Sequence, residues 1–343
     1  MSSLAIWAKN NNNDSACVGP TIEKLHFNYW YLDCGTNAAP CLDIGILLSS
    51  FESLSELMIW LPFKIENTDV SDLACGLKDA SLLGAVFNDE YRVDSMKGKA
   101  CYVHLISRSP SQDSTGFILY ELDVNSDIKI RSFEGTGQRG TILSILVENL
   151  HDLSKASSND CGKRCYFRFR IQASGMQDAF VFGRNYKWFD AIFRDTLTAT
   201  KLMDFRVNQS RSLPKTLCET IDSCGGYLSI EALHFLLLTR DTTTVSSGEH
   251  VTMRRLEKSV WDCYLPIVNR KNAAVTDDII AYHWKQKGDV SNPSGRRSGS
   301  FSEWDVFIVL KFIHKSIKNL TIYFMFAILL GIVSNSVSTS IGF

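Results

Sequence analysis

The chain lacks the short motifs by which common catalytic and metal sites are recognised in sequence. Its 343 residues contain no HExxH, no GxSxG and no P-loop, and none of its ten cysteines belongs to a CxxC pair. The nearest cysteine pairs, Cys161 with Cys165 and Cys218 with Cys224, leave a zinc site as an alternative to small buried thiols. We therefore expect no enzyme, no metal site and no cofactor.

The sequence also lacks a large net charge and an N-terminal apolar run of the kind that directs secretion. The formal charge is −1, so there is no global attraction to nucleic acid. The missing leader favours a cytoplasmic location in which thiols stay reduced. Charge is nevertheless uneven: residues 1–100 hold 7 Lys/Arg against 13 Asp/Glu, and residues 161–215 hold 11 against 4. This asymmetry predicts an anion-facing surface in the middle of the chain.

Short runs of alternating apolar residues, separated by turn residues, dominate residues 21–288 and predict an α+β fold that is rich in strands and mainly antiparallel. Stretches in the second half favour helix instead, among them residues 186–200, 228–239 and 304–318. We divide the chain as follows: 1–20, a flexible N-terminus; 21–288, a cytoplasmic sensor and assembly domain; 289–300, a mobile linker; 301–343, an amphipathic pre-membrane segment and a single C-terminal transmembrane helix.

The clearest strand is 164–171, RCYFRFRI, in which one face is basic. Arg164, Tyr166, Arg168 and Arg170 alternate with apolar residues, so successive side chains of this face stand about 7 Å apart, and three of the four are guanidinium groups. Their mutual repulsion favours either an anionic ligand or acidic partners on a neighbouring strand. With Arg139, these residues form a predicted binding face for a nucleotide or oligonucleotide.

Two further patterns formally match ligand-binding motifs. Residues 135–140 fit GxGxxG, and residues 123–134 fit part of a calcium-binding loop. The first lacks an acidic residue at the end of a following strand, and the second has Ile128 where the motif requires glycine. We interpret them as a glycine-rich hairpin and a β-turn, with a phosphate-binding loop as the alternative for the first.

The last 25 residues, Asn319 to Phe343, carry no charge, and the run 320–333 is almost entirely apolar. This composition predicts a membrane-spanning helix. Lys311, Lys315 and Lys318 precede the run at helical spacing, which orients their end toward the cytoplasm and leaves a single-pass protein of the inner (plasma) membrane.

Ala327, Gly331, Ser334 and Ser338 share one face of the predicted helix. Small residues at this spacing allow close approach of helices and indicate a homo-oligomer, of about four subunits or more if it encloses a pore. The alternatives are a passive membrane anchor and a buried C-terminal core helix.

The tail, the lysines before it and the basic strand together resemble the layout of membrane effectors of bacterial anti-phage defence. The resemblance implies a cytoplasmic sensor for a nucleotide-type messenger joined to transmembrane helices that oligomerise. We therefore expect a ligand-controlled ion channel or pore. The competing hypothesis is a tail-anchored scaffold or adaptor without conduction.

Overall fold

A computed structural model describes the chain in ranges separated by gaps. The described ranges are 2–10, 19–32, 40–94, 98–106, 116–135, 138–148, 150, 163–183, 198–248, 251–261, 264, 279–288, 299–313 and 317–341. The predicted linker, 289–300, lies outside the described residues except for its last two positions. The helix expected at 186–200 lies outside them up to residue 197.

Strands make up most of the described chain. In order, they are β1 (Ala5–Asn10), β2 (Thr21–Tyr31), β3 (Cys41–Ser49), β4 (Leu54–Leu61), β5 (Val70–Asp72), β6 (Tyr91–Val93), β7 (Ala100–Leu105), β8 (Gly116–Tyr120), β9 (Ile128–Gly135), β10 (Gln138–Leu146), β11 (Arg164–Ile171), β12 (Val181–Gly183), β13 (Thr198–Val207), β14 (Ser229–Ile230), β15 (Ala232–Arg240), β16 (Thr243–Ser247), β17 (Thr252–Arg255), β18 (Ile279–Lys287) and β19 (Trp304–Ile313).

The described α-helices are fewer. They are α1 (Ala80–Phe87), α2 (Met176–Phe180), α3 (Lys215–Ser223), α4 (Lys258–Trp261) and α5 (Ile317–Ile341). The Asp79 side chain caps α1 by accepting from the backbone N–H groups of Ser81 and Leu82.

The chain divides into two compact units. The first comprises residues 1–180, 204–240 and 249–306. It contains an 11-stranded sheet in the order β17-β18-β15-β2-β3-β11-β8-β7-β6, with β14 beside β2 and β5 beside β11. Most neighbours are antiparallel, and the pairs β2/β15, β2/β14 and β11/β8 are parallel. Strand-dominated, mainly antiparallel architecture was predicted, and the structure has it.

Both faces of the central strands of this large sheet are buried. One face carries Phe27 and Phe235, whose rings both contact the ring of Phe205 from β13. The other is covered by α1 and α4 over an apolar cluster that includes Trp30, Leu83, Phe87 and Trp261. Burial on both sides explains why β3 and β11 contain long buried runs, which central strands of a covered sheet need.

A second sheet of the first unit has the order β1-β4-β10-β9. Trp7 and Trp60 of this sheet pack against Leu217 and Ile221 of α3. Strand β1 corrects the prediction of a flexible N-terminus, since Ala5 and its neighbours up to Ala8 are buried. Our expectation had weighed the polar composition of residues 10–14 more heavily than the apolar run before them.

The second unit comprises residues 181–203, 241–248 and 307–343. The sheet β12-β13-β19-β16 supplies its strands, with the division between units falling inside β13 and β19. The 25-residue helix α5 also belongs to it. Eight of its large apolar side chains are about half exposed: Phe324, Met325, Ile328, Leu329, Leu330, Ile332, Val333 and Val337.

The prediction for the C-terminal region is corrected by two findings. Among the residues that the structure describes, none of the helices has both the length and the apolarity to cross a membrane. Residues 304–313, expected to extend the helix upstream, form strand β19 instead. The apolar run 320–333 alone rises about 21 Å, which falls short of a hydrocarbon core of about 30 Å. The prediction of a single C-terminal transmembrane helix is therefore wrong for this structure, and the predicted membrane protein and ion channel lose the helix on which they rested.

The three lysines predicted to lie at helical spacing before the apolar run are also placed differently. Lys311 is an exposed residue of β19, Lys318 lies in the first turn of α5, and Lys315 lies outside the described residues. Lys311 and Lys318 do not share one helix face, because strand and helix periodicities differ. Ala327, Gly331, Ser334 and Ser338 do fall within α5, as predicted.

Candidate functional site

The predicted basic strand is β11, and its alternation is as the sequence indicates. Register pairs Arg168 with Gly45 and Arg170 with Asp43 of the antiparallel neighbour β3. The strand is central and covered on both faces, so Arg168 is fully buried and Arg170 nearly so. The basic face therefore lies inside the protein rather than on a surface.

Two of the three arginines have acidic partners. Arg164 donates from Nε to both carboxylate oxygens of Glu23 on β2, at 3.0 and 2.8 Å. Arg170 donates to both oxygens of buried Asp43, at 2.6 Å from Nε and 3.0 Å from Nη2. The second Asp43 oxygen also accepts from Trp30 Nε1 at 2.7 Å. Acidic partners, the alternative left open by the sequence, thus account for Arg164 and Arg170.

Arg168 has phenols where the other two have carboxylates. Its Nη1 donates to the Tyr166 hydroxyl at 3.0 Å, and its Nε donates to the Tyr264 hydroxyl. Gly45 makes this arrangement fit, because a Cβ there would lie 2.1 Å from the Tyr166 oxygen and 3.0 Å from Arg168 Nη1. Sequence reasoning found Arg168 and Tyr166 but not the partner Tyr264.

Arg139 lies in the other sheet of this unit. Residues 135 and 138 pair in a β9–β10 hairpin, which confirms the hairpin interpretation of the glycine-rich motif. Arg139 is exposed and lies 3.5 Å from Glu134 across the hairpin. The turn predicted near Asp123 is also confirmed, with the Ser126 and Asp127 N–H groups donating to the Asp123 carbonyl.

A second group of basic side chains was not predicted as a site. We call Lys24, His234, Arg254, His283 and Lys285 the cationic patch. They come from β2, β15, β17 and β18, and register aligns His234 with Lys285 and, on the other side, with His26. His234 Nδ1 lies 3.0 Å from His283 Nε2, and the two rings stack with centroids 5.2 Å apart. The patch is partly exposed, and Lys285 and Arg254 reach solvent.

The charges of the patch oppose one another. Burial, followed by His283 and the nearby lysines, lowers the pKa of His234 to about 3. Burial, Arg254 and Lys285 lower the pKa of His283 to about 4, and burial together with Lys287 lowers the pKa of Lys285. Both histidines are therefore neutral at pH 7, beside the ammonium groups of Lys24 and Lys285 and the guanidinium group of Arg254.

Few carboxylates offset these cations. Asp89 acts on Lys24 and Lys285, and Glu23 is already held by Arg164. Within the described ranges, Lys285 and Lys287 form no ion pair. An excess of positive charge at a partly buried rim attracts anions more strongly than the same charges would when fully solvated.

His26 connects the patch to Arg168. Its ring packs edge-on against His234, with centroids 5.1 Å apart, and its Nδ1 lies 3.1 Å from the Tyr166 hydroxyl. Burial, then His234 and Arg168, lower the pKa of His26 well below its ordinary value, so the ring is neutral and Nδ1 accepts from Tyr166. Phe87 of α1 covers both rings.

Metal chemistry finds no support in the described part of the chain, where no group of His, Cys, Asp and Glu side chains is arranged to hold a metal ion. Cys165 is buried, and Cys218 and Cys224 lie in α3 and at its C-terminal end. Cys161, the fourth member of the zinc alternative, lies outside the described residues.

No family model and no curated protein matches the chain. Among solved structures, it is similar to an M1 zinc metallopeptidase from Deinococcus radiodurans, with 9% identity, a TM-score of 0.27 and coverage of 85% of this chain and 42% of that one. It is also similar to a two-domain M1 zinc metallopeptidase mutant bound to L-tryptophan, with 8% identity and a TM-score of 0.27. That match covers 88% of this chain and 43% of the other. The chain spans less than half of those chains, and a likeness this weak assigns it neither a fold nor an activity.

Proposed function

We propose that this protein is a non-enzymatic binding module that recognises a phosphate-bearing ligand of the nucleotide type at the cationic patch. The observation that carries the proposal is the convergence of three cations, Lys24, Arg254 and Lys285, from three strands on one partly exposed rim, with few carboxylates to neutralise them. Proteins rarely gather like charges at a half-buried site without a compensating partner, because each adds desolvation cost and repulsion.

The chemistry of the patch suits phosphate. Lys285 and Lys287 follow His283 at alternate positions on β18 and so extend along one face of the strand. Ammonium groups donate to phosphate oxygens as point charges, and Arg254 adds a planar donor. The stacked imidazoles of His234 and His283 contribute polar aromatic surface beside these cations. The arginines of β11 lie too deep to meet a nucleotide directly and are assigned to the support of the sheet.

The proposal is tested by calorimetric titration of the intact protein with inorganic phosphate, AMP and ATP. We expect affinity to rise with the number of phosphates and to fall with added salt. The double variant Lys285→Gln/Lys287→Gln should weaken ATP binding by at least about tenfold, since charge-assisted hydrogen bonds contribute about 1.5–3 kcal/mol each.

A matched control removes two exposed lysines from the other sheet, Lys9→Gln/Lys129→Gln, and leaves the patch intact. This control should bind ATP as the wild type does. If ATP binding were weakened equally in both double variants, the effect would come from overall charge, and this result would contradict the assignment of the site to the cationic patch. Absence of binding to all three probes would contradict the function itself.

A second proposal concerns α5, which we infer to be the site of self-association. About half the surface of each of its large apolar side chains from Phe324 to Val337 is exposed, which is unusual for a helix that has no partner. A second copy of the same helix is the partner that this uncharged surface fits. The small residues 327, 331 and 334 allow close approach on one side. This proposal retains the predicted homo-oligomer as a scaffold, with no role in conduction.

Native mass measurement of the purified chain tests this inference. We expect the wild type to be oligomeric and Ile328→Lys/Ile332→Lys to be monomeric, because two charges on adjacent turns oppose burial of the helix. Ile106→Lys, an equally exposed isoleucine of the first unit, is the control and should remain oligomeric. A monomeric wild type, or an unchanged mass in the double variant, would rule out α5 as the contact.

A further inference from the structure

Among the described residues, Arg168 is the one fully buried arginine, and one of its nitrogens has no partner there. The side chain is 0% exposed on the central strand β11. Nη1 and Nε donate to the phenols of Tyr166 and Tyr264, and Nη2 has no hydrogen-bond partner among the described residues. An unsatisfied buried N–H of a charged group costs more than an ordinary unmade hydrogen bond, so this nitrogen needs an acceptor.

The charges around it do not balance. Asp43 is the carboxylate nearest to the buried arginines, and both of its oxygens are held by Arg170, one of them also by Trp30. Guanidinium groups stay protonated in proteins, and His26 is neutral. The described residues of this cluster therefore carry two buried positive charges and one negative charge. An uncompensated interior charge costs several kcal/mol.

The hydroxyl groups show where an acceptor fits. The Tyr166 oxygen accepts from Arg168 and its own hydrogen points to His26 Nδ1 at 3.1 Å, so its bonding capacity is used. The Tyr264 oxygen also accepts from Arg168, but no acceptor for its hydrogen is found in the described residues. Nε and Nη2 lie on the same edge of a guanidinium. Two donors, Nη2–H and Tyr264 O–H, are therefore left on one side of Arg168.

We propose that Arg168 and Tyr264 bind a buried monovalent anion of the size of chloride. One negative charge balances the cluster, and an anion accepts from both free donors at once. On the Gly45 side, Tyr166 and Arg168 Nη1 fill the space of a missing Cβ, so the anion is assigned to the Tyr264 side of the guanidinium. The site is distinct from the cationic patch and does not depend on the function proposed for the patch.

The test measures urea unfolding of the intact protein while chloride replaces methanesulfonate at constant ionic strength. An anion that binds only the folded state raises the unfolding midpoint with the logarithm of its concentration. We expect this rise in the wild type and its loss in Arg168→Met. In Tyr264→Phe, which keeps the arginine and removes one donor, the apparent Kd for chloride should increase about tenfold.

Tyr29→Phe is the matched control, since Tyr29 is another buried tyrosine and lies on the opposite face of the sheet, where its hydroxyl has no partner in the described structure. Its chloride dependence should equal that of the wild type. Should Arg168→Met not fold, Tyr264→Phe against Tyr29→Phe decides the question alone. A wild type that is insensitive to the exchange of anions, or equal responses in the two tyrosine variants, would overturn the proposal.

Discussion

At the scale of single residues, the buried arginines show how a strand can carry charges on a face that never meets solvent. Arg170 is held by Asp43 directly opposite on β3, and its guanidinium also lies 5.3 Å from the Tyr264 ring centre. Arg168, two residues before Arg170 on the same face of β11, pairs with Gly45 instead. The choice of residue at positions 43 and 45 therefore decides which arginine is neutralised by the protein and which is left for another partner.

Gly45 is the residue on which this arrangement depends most sharply. Gly45→Ala places a methyl group against Tyr166 and Arg168, both fully buried, and we expect it to lower the free energy of unfolding by about 2 kcal/mol. Gly183→Ala, where a Cβ meets nothing within 4 Å, is the control and should be nearly neutral. Urea denaturation measures both, and equal values for the two variants would contradict the packing argument.

At the scale of elements, the sequence predicts strands well where side chains alternate and badly where they do not. The alternation of β11 was predicted correctly because period two is a direct property of a pleated strand. Strand β15, ALHFLLLTR, was predicted to be a helix because leucine favours helix intrinsically. Its position between β18 and β2 in a sheet buried on both faces overrides that preference.

Strand β19 shows a different source of error. Trp304, Val306, Ile308 and Leu310 are buried, and Asp305, Phe307 and Lys311 are exposed, which is a regular alternation. The helix prediction gave weight to the lysine spacing at 311, 315 and 318 and to the apolar tail that follows. The period-two pattern of residues 304–313 was thus wrongly included in the helix that follows it.

The candidate site divides along the same line. Strand periodicity alone places Arg168 and Tyr166 on one face of a strand. The same periodicity places His283, Lys285 and Lys287 on one face, and this second basic face was not predicted as a site. The rest of the cationic patch cannot be predicted from local sequence patterns. Lys24 and His234 come from distant parts of the chain and meet only because β2 pairs in parallel with β15.

At the scale of the whole molecule, neutral histidines make stability depend on pH. His234, His283 and His26 all have lowered pKa values in the folded protein, whereas the unfolded chain takes up protons near pH 6.5. The unfolded state therefore binds more protons below pH 6.5, and stability falls as pH falls through that value, by up to about 1.4 kcal/mol per histidine for each pH unit. Lys24, Lys285, Lys287 and Arg254 face these rings and oppose their protonation.

One carboxylate works in the opposite direction. Burial raises the pKa of Asp72 to about 6, against the backbone N–H groups of Leu122 and Ala74, so the folded state binds the extra proton between about pH 4 and 6. Urea midpoints measured from pH 7 to 5 should still fall, because three histidines outweigh one aspartate. His234→Gln/His283→Gln should flatten this slope and Asp72→Asn should steepen it; a wild-type midpoint that rises on acidification would contradict the assignment.

The parallel pairing of β2 with β15 also governs the order in which the protein can assemble. Leu25 aligns with Leu233, so more than half of the chain separates two strands that lie side by side at the centre of the largest sheet. Closing so long a loop is slow compared with forming a hairpin. During synthesis, the β2–β3 hairpin has to wait with one edge open until residues 232–240 have emerged, and any fragment that stops earlier keeps that edge exposed to pairing with other chains.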